Sequence, residues 1–277
     1  MGKYTGIIIV SDVDGTFWSK IPEIYQKNTD AIEKFKQDGG IFTFATGRDF
    51  HSLKMIIPDA VDIVNAPIIV SNGSGLFDAD KNKYIMEAGL NMPVFREFAK
   101  IIISKYPEIG VRFSGRGIFM VPDINLMIKD DLTTDSDTSL LEKARETPLD
   151  EIDTASKCVI VHTNPEILAE VQKMGEEFDK GENFHFAKSY AIGLEAVNKD
   201  YTKGKTARKL KEYLNLSDGV LYAIGDYYND MDLILTADIG VCPQNAVDEI
   251  KSAATIITKS CDEGAIADLI EIIDKNK

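Results

Sequence analysis

With 277 residues, of which 44% are hydrophobic and 27% charged, the chain has a globular protein's composition, which argues against disorder and leaves room for two modest domains. Its 45 acidic and 31 basic residues give a net charge of −14, opposing a nucleic acid or an anionic membrane as partner. Cys158, Cys242 and Cys261 are too few and too scattered for a disulfide framework or a Cys-rich zinc site, and no apolar run approaches the roughly 20 residues of a membrane span, so a cytoplasmic protein is expected.

The first predicted element is a strand over residues 6–10, Gly-Ile-Ile-Ile-Val, and it runs into Asp12-Val13-Asp14-Gly15-Thr16. Side chains alternate along a strand, so Asp12 and Asp14 start on one side before the glycine bends the backbone. Two carboxylates so close repel unless a cation or a shared proton neutralises them, although Asp and Gly are also ordinary turn residues. A helix near 28–38, a strand over 41–45, a helix near 49–57 and a strand over 67–70 follow, which is the alternation of parallel βαβ units. The second strand ends in Ala45-Thr46-Gly47-Arg48, where a hydroxyl, a backbone N–H and a guanidinium suit phosphate oxygens; taken alone, Thr46 is equally an N-cap and Arg48 a surface cation. The third ends in Ser71-Asn72-Gly73, whose amide either touches a ligand or stabilises the turn.

The middle of the chain, 84–198, changes character. It carries a helix over 93–105, paired β-like runs at 109–113 and 117–121, an acidic stretch, a strand at 158–161, a helix over 165–178, and β-like runs near 184–188 and 192–197. Adjacent strands joined by tight turns predict an antiparallel sheet with helices on one face, inserted into a split α/β core. The acidic residues 130–139 fail as a calcium loop counted from Asp135 to Glu146, because Leu140 stands where such a loop needs glycine.

Lys203-Gly204 opens a predicted helix over 203–214, where the helix dipole disfavours a cation unless an anion sits beside it. Gly204-Lys205-Thr206 mimics the end of a P-loop, but Lys199 occupies the position of the required first glycine. A strand over 220–224 then ends in Gly225-Asp226-Tyr227-Tyr228-Asn229-Asp230, before a helix near 230–237, a strand over 239–241 and a closing helix near 263–275. Asp226 and Asp230, four apart, can face one site, and with Asp12 and Asp14 they predict an oxygen-rich pocket for Mg²⁺. All these segments fall at strand or helix ends that open onto the carboxyl edge of a parallel sheet.

As a set, these motifs resemble the haloacid dehalogenase superfamily, specifically its Cof-like hydrolases; Pro243-Gln244-Asn245-Ala246 with Lys251, and Glu263-Gly264, match the tail of that group. Phe17-Trp18, where leucines are usual, and Gln244, where glycine is common, depart from its pattern. The resemblance implies an α/β fold: a Rossmann-like parallel-sheet core, 1–83 and 199–277, with an inserted α+β cap, 84–198, that closes over the leaving group and selects the substrate. It further implies a Mg²⁺-dependent phosphatase acting on a small phosphomonoester, such as a sugar phosphate or a phosphorylated cofactor. Asp12 would be the nucleophile and Asp14 the acid and base. Thr46, Gly47, Arg48, Asn72 and Asn229 would attend the phosphoryl group, and Lys203 would hold both it and Asp12. Asp12, Asp14, Asp226 and Asp230 would serve the metal, Asp230 from behind the direct ligands. Arg112, Arg116 and Lys188 are the cap's candidate specificity residues, against the commoner reading of surface cations. The chain is expected to be a monomer or a small homo-oligomer. A phosphosugar mutase would use the same aspartyl-phosphate, a receiver-type signalling module shares the acids, Thr and Lys but is shorter and uncapped, and a non-catalytic binder would not need the complete set.

Overall fold

The apolar run that opens the chain is strand β1 (Ile7–Ser11), buried at every position. In this computed structural model, which describes residues 2–115, 117–126, 144–190 and 192–276, the chain divides into two compact units. Met1–Met86 with Thr202–Lys277 form the first, and Glu87–Tyr201 the second.

In the first unit β1 is followed by β2 (Ile41–Phe44), β3 (Ile68–Val70), β4 (Gly75–Asp78) and β5 (Lys83–Glu87). A single parallel bridge, Ala45 to Ile69, ties the end of β2 to β3, and β3, β4 and β5 make a small sheet of their own. Neither β4 nor β5 was legible as a strand in the sequence. The first helix spans Pro22–Gln37 rather than starting near 28, because Pro22 sits in its first turn, where a fixed φ and a missing N–H cost nothing.

The second unit contains β6 (Gly110–Gly115), β7 (Ile118–Val121), β8 (Ala144–Glu146), β9 (Lys157–Val161), β10 (Phe184–Tyr190) and β11 (Gly193–Asn198). They form one sheet in the order β10-β11-β9-β6-β7-β8, antiparallel except for the parallel pair β7 and β8 at one edge. Helices Met92–Lys105 and Pro165–Asp179 cover one face. Phe95, Phe98, Ile102, Leu168 and Val171 pack there on Phe113, Ile160, Phe184 and Ala196. The acidic stretch 130–139 and Arg116 lie outside the described residues. Of the other two cations named for specificity, Arg112 is buried with its guanidinium over the Phe119 ring at 5.0 Å, and Lys188 is exposed.

The chain re-enters the first unit to supply β12 (Val220–Ile224), β13 (Ile239–Pro243) and β14 (Ile256–Thr258). With β1 and β2 these give a parallel five-stranded sheet in the order β14-β13-β12-β1-β2. Both faces are covered, which is why β1 reads as unbroken hydrophobic sequence. Ile7 and Ile9 face a cluster with Phe35, Phe42, Phe44, Ile266 and Leu269, while Ile8 and Val10 face another with Ala207, Leu210 and Leu221. Each large apolar side chain so buried contributes about 1.5–3 kcal/mol. The sheet thereby fixes the carboxyl ends of β1, β2 and β12 on one rigid edge.

Candidate active site

Asp12 directly follows β1, and its N–H donates to the Ile224 carbonyl at 2.8 Å, extending the ladder with β12 by one rung. The chain then turns: Gly15 adopts φ +76°, and a Cβ there would lie 2.4 Å from Asp226 Oδ2. Glycine at 15 is therefore required twice, by its left-handed backbone and by the close approach of a carboxylate. Thr16, fully buried, donates its hydroxyl to Asp226 Oδ1 at 3.1 Å, and Asn245 donates to the Gly15 carbonyl at 2.8 Å.

The loops after β2 and β3 are bonded to each other. Thr46 N–H donates to Ile69 O, Asn72 N–H to Thr46 O, and Ser71 N–H to Arg48 O, each at 2.9 Å. Ser71, Asn72 and Gly73 all have positive φ, 52°, 54° and 97°. Two consecutive non-glycine residues there store strain of order 1–3 kcal/mol each, which marks a backbone held for a purpose. It carries the Asn72 amide to Gly47 and to Asn229, whose Nδ2 donates to Asn72 Oδ1 at 3.1 Å. A Cβ on Gly73 would stand 2.2 Å from the Thr202 carbonyl carbon, so this loop also abuts the start of helix Lys203–Tyr213.

Lys203 in that helix's first turn is buried, and its Nζ donates to Asp12 Oδ1 at 2.6 Å and to Asp230 Oδ1 at 2.7 Å. Asp230 Oδ2 accepts the N–H groups of Asp226 and Tyr227 at 3.1 and 3.2 Å, so three donors already engage this fully buried carboxylate. Gly225 permits the arrangement, since a Cβ there would meet the Asp230 carboxyl carbon at 2.4 Å. Asp14 is placed differently: Arg48 Nε and Nη2 donate to its two oxygens at 2.9 and 2.8 Å.

Asp12, Asp14, Thr46, Gly47, Arg48, Asn72, Lys203, Asp226, Asn229 and Asp230 thus meet at one edge of the sheet, joined in a near-continuous network. Thr16, Ser71 and Asn245 belong to it as well. Thr16 and Ser71 were visible only as parts of motifs, and Asn245 only within Pro243-Gln244-Asn245-Ala246.

Burial raises the Asp12 carboxyl well above the ordinary carboxylate range, with Asp230, Asp226 and Asp14 adding to the rise and Lys203 opposing it. Burial, then Asp230, likewise push Asp226 up to about 7. Burial alone would lower Lys203; the two carboxylates on its ammonium outweigh that and raise it. Asp12, Asp226 and Asp230 each offer an oxygen within 4.8 Å of the others'. Three carboxylates against one ammonium leave two negative charges uncompensated when all are ionised. Hard oxygen donors with that deficit fit a divalent cation such as Mg²⁺.

The family model for haloacid dehalogenase-like hydrolases matches residues 9–270. A Bacillus subtilis protein named 5-amino-6-(5-phospho-D-ribitylamino)uracil phosphatase is 22% identical over 289 aligned positions, 95% of this chain and 96% of that one. An HMP-PP phosphatase of Yersinia pseudotuberculosis is 26% identical over 244, covering 87% and 84%. Among solved structures, a haloacid dehalogenase-like hydrolase from Bacteroides thetaiotaomicron superposes with a TM-score of 0.76 at 25% identity, over 98% of this chain and all of the other.

Proposed function

Because the chain belongs to the haloacid dehalogenase-like hydrolases, we propose that it is a Mg²⁺-dependent phosphatase that hydrolyses a small phosphorylated metabolite through an aspartyl-phosphate on Asp12. The observation that carries the reading is the buried Lys203 ammonium shared by Asp12 and Asp230 beside Asp226, which leaves a fixed carboxylate in a site short of positive charge.

Asp12, oriented by Lys203, attacks phosphorus in line as the bond to the leaving oxygen breaks. The electron pair departs with that oxygen, and Asp14 supplies the proton that neutralises it. Asp14, then ionised, takes a proton from the water that attacks phosphorus; the bond from phosphorus to the Asp12 oxygen breaks, its electron pair returns to the Asp12 carboxylate, and inorganic phosphate leaves. Thr46, Gly47, Asn72 and Asn229 donate to the phosphoryl oxygens, and Lys203 adds charge there. Asp12, Asp226 and the Asp14 carbonyl would hold Mg²⁺, with Asp230 fixing Asp226 and Lys203 from behind. The ion, when bound, lowers the repulsion between carboxylate and phosphate. Core roles fall to 1–83 and 199–277, and substrate choice to 84–198. A phosphorylated sugar or sugar alcohol is the substrate class favoured, in keeping with the phosphoribityl group in the name of the Bacillus subtilis relative.

Phosphate release from a panel of phosphorylated metabolites tests this, with Mg²⁺ or with EDTA. Wild-type protein should release phosphate only with the metal, and Asp12→Asn should be inert yet folded. Turnover by Asp12→Asn, or an isomerised sugar phosphate in place of free phosphate, would sink the assignment.

A further inference from the structure

Of the four candidate carboxylates, Asp12, Asp226 and Asp230 offer oxygens within 4.8 Å of one another, whereas Asp14 has both of its oxygens held by Arg48. The contact is a two-pronged fork with N···O distances of 2.9 and 2.8 Å, a geometry that fixes the carboxylate plane as well as its position. An exposed ion pair is ordinarily mobile, and the Asp14 side chain is 46% exposed. What distinguishes this pair is the base on which Arg48 stands. Its N–H donates to Thr46 Oγ1 at 3.1 Å and its carbonyl accepts from Ser71 N–H at 2.9 Å, so the loops after β2 and β3 both pin its backbone. Asp49, the next residue, caps helix Phe50–Ile56 by accepting from Ser52 N–H at 2.8 Å. The guanidinium therefore projects from a rigid turn, whereas Asp14 lies beside a glycine in a left-handed turn.

We propose that Arg48 is the positioning residue for Asp14: it sets the direction from which the Asp14 carboxyl meets the leaving-group oxygen. The inference rests on the phosphatase reading and reassigns Arg48 from the phosphoryl group to the acid. In the transfer step the Asp12–phosphorus bond forms as the phosphorus–oxygen bond to the leaving group breaks. The departing oxygen takes the electron pair and then a proton that Asp14 carries on a lone pair outside the fork, since each carboxyl oxygen has a second site after accepting from Arg48. A leaving group acidic enough to depart as its anion does not need that proton, and Arg48 matters least there.

The test is kcat/KM for a series of substituted aryl phosphates with Mg²⁺, because that constant ends at phosphoryl transfer and excludes the later hydrolysis. For Arg48→Ala the dependence on leaving-group acidity should steepen. Phenyl phosphate should lose about 10²- to 10³-fold, the scale of general-acid catalysis, and p-nitrophenyl phosphate less than about tenfold. Arg48→Lys, which keeps the charge but not the fork, should fall between. In Asp14→Asn protein, adding Arg48→Ala should cost little more, since both act through one group. A uniform loss across the series, or a full additional loss in the double variant, would show that Arg48 serves the phosphoryl group and overturn the proposal. Wild-type protein inert toward the whole series and toward the metabolite panel would overturn the phosphatase reading, and this inference with it.

Discussion

Lys203 carries more of the site than any other side chain, because its one ammonium compensates two buried carboxylates from distant parts of the chain. Removing one member of such a group strands the others, at a cost of about 3–5 kcal/mol. Lys203→Met should therefore unfold at markedly lower denaturant as well as lose turnover. Adding Asp12→Asn and Asp230→Asn should recover much of the stability and none of the activity, as read by urea titration. If Lys203→Met were as stable as wild type, the ammonium would not be holding the carboxylates in solution. At this scale the sequence singled out residues that the fold does bring together, because a charged residue at a strand end needs a partner of opposite sign. It could not show that Asp230 spends its oxygens on Lys203 and on two backbone N–H groups, since that depends on how the turn after β12 tightens.

Elements meet through glycines. Gly73 lets the loop after β3 touch the first turn of helix Lys203–Tyr213, and Thr206 on that helix donates back to the Gly73 carbonyl at 2.7 Å. Gly73→Ala combines a disfavoured φ with overlap on backbone, a change costing about 1–3 kcal/mol. It should move Lys203 as well, so kcat should fall more than the lowered melting temperature explains; a stability loss with kcat intact would argue against that coupling. Long periodic elements were legible because burial imposes a repeat on them. Helix Asp248–Ala253 and strands β4, β5 and β14 were not, because three to six residues are too few to display one. The parallel pairing of β7 with β8 was hidden for another reason: strand direction at a sheet edge is set by the connection, not by composition.

At the scale of the molecule, each unit has its own hydrophobic core, so damage to one need not reach the other. Phe98→Ala, which empties a fully buried site in the second unit at about 3–5 kcal/mol, should lower the transition seen by far-UV circular dichroism. Trp18, the sole tryptophan, lies in the first unit, and its fluorescence transition should stay near the wild-type value; a matched fall would mean the units unfold as one. The acids make stability depend on pH. Asp12 and Asp226 are raised above their ordinary 3.8, Asp226 to about 7, so the folded state binds more protons than the unfolded chain across that interval. Metal-free stability contributed by Asp226 is full below about pH 4 and is lost as pH rises through about 7, and Asp12, raised in the same direction, adds to that trend. Mg²⁺ competes with those protons, so its effect on melting temperature should be small at pH 5 and larger at pH 8. Equal shifts at both would contradict this account.

The partnership of Asp12 with Lys203 spans 191 residues, and β1 finds its neighbour β12 only after the whole second unit has intervened. On the ribosome, at about 5–20 residues per second, that separation is a wait on the order of 10–40 s. During it Asp12 lacks the ammonium that faces it in the finished fold, and one side of β1 is unmatched. The two sides of this ion pair are thus made far apart in time: a partly made chain holds Asp12 long before Lys203, and the two are brought together only once β12 can pair with β1.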